Sequence, residues 1–85
     1  MKEIIENKLK TIFQPNYLKV INNSHLHKGH HGDNGTGETH FKIEISAKEL
    51  TNKNKIAAHR QINNILREEF AKGLHALEIK IIYYR

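Results

Sequence analysis

Apolar residues recur along the chain with two different spacings. From Lys2 to Phe13 the stripe Ile4, Ile5, Lys8, Leu9, Ile12 and Phe13 follows helical spacing, with Lys8 its one polar member. This predicts an amphipathic helix. Gln14-Pro15-Asn16 ends it, because the residue before a proline avoids helical geometry. Tyr17-Leu18-Lys19-Val20-Ile21 is a β-rich run closed by Asn22-Asn23-Ser24. A polar stretch follows from His25 to Glu38, holding four of the five glycines. At roughly fourteen residues it is long for a compact domain, which marks it as functional or mobile.

Thr39-His40-Phe41-Lys42-Ile43-Glu44-Ile45 alternates strictly and predicts a half-buried strand with Phe41, Ile43 and Ile45 inward. Lys48 to Asn54 is polar and reads as a turn, with Asn54 or Thr51 placed to cap the next helix. That helix carries Ile56, His59, Ile62, Ile65, Leu66 and Phe70 on its core-facing stripe. Gly73 suits the left-handed residue that ends a helix. His75 to Ile81 alternates as a third strand. The expected architecture is α+β in the order α-β-β-α-β. It is a three-stranded mixed sheet with helices on one face, with room for an extra short helix before or after the second long one. No internal repeat is present, and residues 1–85 are expected to form a single domain.

Composition narrows the functions open to such a domain. The chain has no cysteine, so it can form no disulfide, thiolate nucleophile or cysteine zinc site. Small secreted domains usually carry disulfides, so a cytoplasmic location is expected. No apolar run approaches a membrane span, and the start lacks a signal-peptide core. A net charge of +5 permits nucleic acid or an acidic partner. The lysines are spread along the chain, however, with no block of like charge. The seven histidines are the more distinctive feature.

His25-Leu26-His27-Lys28-Gly29-His30-His31-Gly32-Asp33 concentrates imidazoles that suit zinc, iron, copper or nickel. A solvated polar loop is the plainer alternative, and the spacing fits no fixed zinc pattern. Metal storage by this loop alone is a further reading, weakened by the lack of a preorganised site. His75 opens the third strand in phase with Leu77, Ile79 and Ile81, at the edge of the buried face with one side open to a partner. His40 points away from the core face, and His59 lies on the apolar stripe of the second helix. Both are better explained by structure than by chemistry, His59 as a packed ring with one satisfied nitrogen.

Gly29-His30-His31-Gly32 formally matches the Gly-x-x-Gly loop of KH nucleic-acid domains. That loop joins two helices, whereas this one joins two strands, so the match is ascribed to chance. Tyr83-Tyr84-Arg85 is the best candidate for base stacking, and a weak one. No catalytic residue is assigned. Ser24 beside His25 is adjacency without nucleophile–base geometry. Asp33, Glu38 and Glu44 form no evident pair, and no phosphate or dinucleotide fingerprint is present.

Several segments together resemble the BolA family over nearly the whole chain. They are Phe13-Gln14-Pro15, Asn23-Ser24-His25-Leu26-His27, Gly37-Glu38-Thr39-His40-Phe41, His59-Arg60 and Gly73-Leu74-His75-Ala76-Leu77. The resemblance implies a fold related to the class II KH domain. It also implies partnership with a monothiol glutaredoxin and its glutathione, the two proteins sharing a [2Fe–2S] cluster. The isolated chain is then expected to be a cofactor-free monomer away from membranes. The family's C-terminal histidine matches His75, and its loop ligand best matches His27. The insertion Lys28 to Thr36 lengthens this loop, so His25, His30 and His31 stand as substitutes.

A cluster of this type needs four ligands, and this chain offers no thiolate. Two imidazoles here with sulfur from the partner would resemble Rieske-type ligation. The resemblance also reaches family members regarded as transcription regulators. DNA is therefore the alternative partner, with Lys53, Lys55, Arg60, Arg67 and Lys72 around the second helix as contacts. The two roles are compatible, since a cluster partner could gate DNA binding.

Overall fold

A computed structural model describes residues 1–27 and 37–84, with only the backbone described at residues 26 and 27. Helix α1, Lys2–Phe13, turns Ile5, Leu9 and Phe13 into the core, a single row at four-residue spacing. Ile4 and Ile12 are 46% and 48% exposed, so the buried stripe is narrower than the sequence pattern. Gln14 ends the helix in the left-handed conformation (φ 48°), its N–H donating to Lys10 O.

Strand β1, Tyr17–Asn22, leads into a 3-10 turn over Ser24–His27. Strand β2, His40–Ser46, begins one residue later than its alternation suggests. Lys48–Thr51 is not a simple turn but a short helix, α2, whose Leu50 is buried. Asn54, not Thr51, caps α3 (Lys55–Ile65): its side-chain oxygen accepts from Ala57 N at 2.8 Å. The second long helix does not run unbroken. Leu66 leaves helical geometry, and a short α4, Arg67–Ala71, resumes. Ala58, Ile62 and Leu66 face the core, while Ile56 is 68% exposed, contrary to the predicted stripe. Gly73 adopts φ +125°, a conformation that favours glycine. Strand β3, Ala76–Ile81, completes the fold.

The sheet has the order β1-β2-β3. β1 pairs antiparallel with β2, and β2 pairs parallel with β3. The parallel pair needs the long crossover that α2, α3 and α4 supply. The mixed sheet and element order are compatible with the expected class II KH-like arrangement.

Phe41, Ile43 and Ile45 of the central strand meet Ile5, Leu9, Ala58, Ile62 and Leu66 of the helices in one buried cluster. The other side of the sheet is polar. There Lys42 lies 3.6 Å from Glu44 and 3.4 Å from Glu78. Tyr17 Oη donates to Glu44, and its phenol is pushed up, first by partial desolvation and then by that carboxylate. One further ion pair joins α1 to α4. Lys8 Nζ lies 2.9 and 3.1 Å from the two oxygens of Glu69, which is 2% exposed. No helix among the described residues is long and apolar enough to cross a membrane.

Candidate functional site

The end of the sheet where β2 and β3 begin gathers the histidine chemistry. Asn22, closing β1, accepts from Ser24 N through its side-chain oxygen at 2.9 Å and donates its amide to Gly37 O at 2.8 Å. It therefore ties together the two stems of the histidine-rich loop. Gly37 has open space around its missing Cβ; its φ of +74° is what favours glycine there.

Ser24 makes a second tie. Its buried hydroxyl oxygen accepts from Thr39 N (2.9 Å) and His40 N (3.1 Å) and donates to His40 O (3.4 Å). Asn23 N adds a bond to His40 O at 2.8 Å. The start of β2 is thus fastened to the 3-10 turn before any apolar contact is counted.

His75 lies just before β3 and is exposed, rather than at the edge of the buried face. The reason is local. The N–H groups of His75 and Ala76 both donate to Thr39 O, at 2.8 and 3.1 Å, so regular strand alternation has not begun at His75. Its ring instead meets that of His40, with centroids 5.4 Å apart and planes tilted by 51°. His40 is 8% exposed, and its Nδ1 lies 2.8 Å from Thr39 Oγ1. Alternation puts His40 on the side away from the core, as expected. Its burial there is not visible in the pattern, because the covering residues come from beyond β2. The only signal available was the polar pair Thr39-His40 directly before an apolar strand.

The other candidates separate. His25 is exposed on the 3-10 turn. His27 ends that turn, but its side chain lies outside the described residues, as do His30 and His31 entirely. Asn22, Ser24 and Gly37, which flank the loop, lie at the same sheet end as His75. His59 is half-buried on α3, and its Nε2 is buried without a hydrogen-bond partner among the described residues. No group of three or more histidines or carboxylates suited to a metal ion occurs among the described residues. What the described site offers is a pair of imidazoles, one exposed and one buried.

The basic candidates form two sets. Lys53, Lys55 and Arg60 cluster at the start of α3, where Lys55, Ile56 and Arg60 line a shallow surface depression. Lys53 also donates to Glu49 at 3.0 Å and contacts Gln61. Arg67 and Lys72 lie past the break at Leu66, and Arg67 donates to Asn64 O at 3.2 Å.

Comparison with known proteins places the sequence and the fold in a family. The family described as BolA-like protein matches residues 9–83. A Sinorhizobium protein, described only by its position in the cobS 5′ region, is 43% identical over 81 residues, covering 94% of this chain and 87% of its own. The DNA-binding transcriptional regulator BolA of Vibrio cholerae is 38% identical, covering 93% of this chain and 71% of its own. Among solved structures, BolA1 from Arabidopsis thaliana superposes with a TM-score of 0.85 at 34% identity, over 98% of this chain and 90% of that one. On sequence and fold together, the chain belongs to the BolA-like family.

Proposed function

We propose that the protein is a binding module that pairs with a monothiol glutaredoxin and shares a [2Fe–2S] cluster with it, in iron–sulfur trafficking or iron regulation. The observation that carries this reading is the exposed His75 at the sheet end to which both stems of the histidine loop are tied. The donor set fits such a group: imidazoles are accepted iron ligands, and with no cysteine the chain leaves the sulfur ligands to its partner. His75 and one loop histidine, His27 by its place in the family pattern, would hold it. The bound cluster would supply a redox and transfer function, at a potential raised by neutral imidazole ligands.

The chain's own contribution is binding and orientation. His75 is held through its backbone by Thr39 and beside its ring by His40. Ligation requires deprotonated imidazole, so acid is expected to release the cluster. Lack of cysteine is compatible with work in the reducing cytoplasm. Mixing the protein with cluster-loaded glutaredoxin should give a heterodimer with an altered visible spectrum. His75→Ala should abolish that change; an unaltered spectrum and affinity would remove His75 as a ligand.

A second reading is favoured by the description of the Vibrio relative as a DNA-binding regulator. Here Lys53, Lys55 and Arg60 at the start of α3, with Arg67 and Lys72 beyond it, would neutralise phosphates. Affinity would then fall steeply with salt, and each lost phosphate contact would reduce the slope by about one. Absence of DNA binding at low salt would eliminate this role and leave the first untouched.

A further inference from the structure

His40 sits where the fold does not ask for an imidazole. Lys42 and Glu44, its neighbours on the polar side of β2, are only partly buried, whereas His40 is 8% exposed. A valine would fill such a site without a polar atom to satisfy. The structure satisfies the imidazole specifically: Nδ1 lies 2.8 Å from the hydroxyl of Thr39, itself fully buried. The same Thr39 accepts the N–H of His75 through its carbonyl. Two consecutive residues therefore reach His75 by different routes, Thr39 through the backbone and His40 through the ring. Both are locked by Ser24, whose hydroxyl takes their two N–H groups.

We infer that Thr39-His40 is a positioning device for His75. Thr39 fixes the orientation of the His40 ring, and that ring restricts the rotamers of His75. His40 is a positioning residue here, not a ligand. The functional part of this inference rests on the ligand role proposed for His75. A ligand already held in one rotamer loses less conformational freedom on binding. Loss of a residue that orients a metal ligand typically costs about 10–100-fold in metal affinity. Because Ser24 belongs to the turn that enters the histidine loop, the device also joins the loop side of the site to His75.

The test uses the full chain, alone and bound to a cluster-bearing monothiol glutaredoxin. His40→Leu keeps much of the volume but removes the flat ring and Nδ1; His40→Phe restores the flat ring. NMR of the isolated chain reads the side-chain rotamers and imidazole nitrogen shifts of His75. Transfer of iron to a chelator reads cluster release from the complex. In His40→Leu, His75 is expected to populate several rotamers and the cluster to leave about 10-fold faster. His40→Phe is expected to recover most of the rotamer order and slow the release. A folded His40→Leu with wild-type His75 signals and wild-type release overturns the inference.

Should His40→Leu fail to fold, Thr39→Val removes only the hydroxyl and takes over the test. Unchanged order of His75 in that variant is equally fatal. If instead His75→Ala leaves the cluster spectrum intact, the ligand reading falls, while the rotamers in the isolated chain still judge the positioning.

Discussion

The two sides of β2 bury different chemistry. On the helix side, Phe41, Ile43 and Ile45 are buried by apolar neighbours alone and need only shape and volume. On the other side, at the strand's start, His40 is buried with its Nδ1 2.8 Å from Thr39 Oγ1, and the buried Ser24 hydroxyl takes the N–H groups of Thr39 and His40. Apolar burial is non-directional and tolerates exchange of similar volumes. Polar burial is directional, and removing one partner strands another. The helix side should therefore carry stability and the histidine end should carry function.

The sharpest challenge to that division is Ile43→Ala. Ile43 is fully buried at the centre of the sheet, and its truncation should cost about 2–5 kcal/mol in denaturant unfolding. Enough folded protein should remain at low temperature to show wild-type cluster release. If release changed as much as in a His75 variant, the two sides would not be separable.

Next in size is the Lys8–Glu69 pair, where the partners are unequally buried at 28% and 2% exposure. Lys8→Met should cost about 3 kcal/mol, because it leaves a buried carboxylate unpaired. Glu69→Gln should cost less, since Lys8 can turn to water. Equal shifts in thermal midpoint would show that the burial of Glu69 is not what matters.

Ser24→Ala removes the acceptor of two buried N–H groups and should cost about 1–3 kcal/mol. Hydrogen exchange should quicken at the Thr39 and His40 amides. Unlike Ile43→Ala, it should also loosen His75. Loss of stability without that loosening would return the Ser24 cluster to a purely structural role.

The smallest effect concerns pH and lies away from both sides. Gln61 first, and Lys53 second, hold the Glu49 carboxyl below its ordinary value. A lowered folded value means the carboxylate stabilises the fold above its unfolded pKa. That contribution is lost as pH falls through the folded value. Glu49 is exposed, so the loss should be only a few tenths of a kcal/mol. Glu49→Gln should flatten the acid-side stability profile by that amount, as read by urea unfolding at a series of pH values.

Some of this was written plainly in residue order. The bounds of α1 follow from its apolar spacing and Pro15. β2 and β3 follow from alternation and β1 from its β-rich composition, with errors of one residue at their ends. The cap at Asn54 and the positive φ at Gly73 follow from residue type. The family pattern singled out His75 at the sheet end, although its alternation phase assigned it to the wrong environment.

What escaped the pattern shares one cause. Ile4, Ile12 and Ile56 belong to apolar stripes but remain exposed, because spacing gives direction and not the reach of neighbouring elements. An extra short helix beside α3 was allowed for, and α2 and α4 supply one on each side, but the break at Leu66 carries no glycine or proline to place it. Alternation points His40 away from the core and gives no sign that it is buried. Its burial and its contact with His75 depend on residues 35 positions apart meeting at one sheet end.

Local spacing and residue chemistry were thus enough to specify α1, the three strands, the start of α3, the family and the supply of imidazoles without thiolates. The parallel pairing of β2 with β3 was needed to bring His40 and His75 ring to ring. A side chain's own geometry governs its local conformation, whereas the partners that satisfy a buried polar group are chosen by the whole fold.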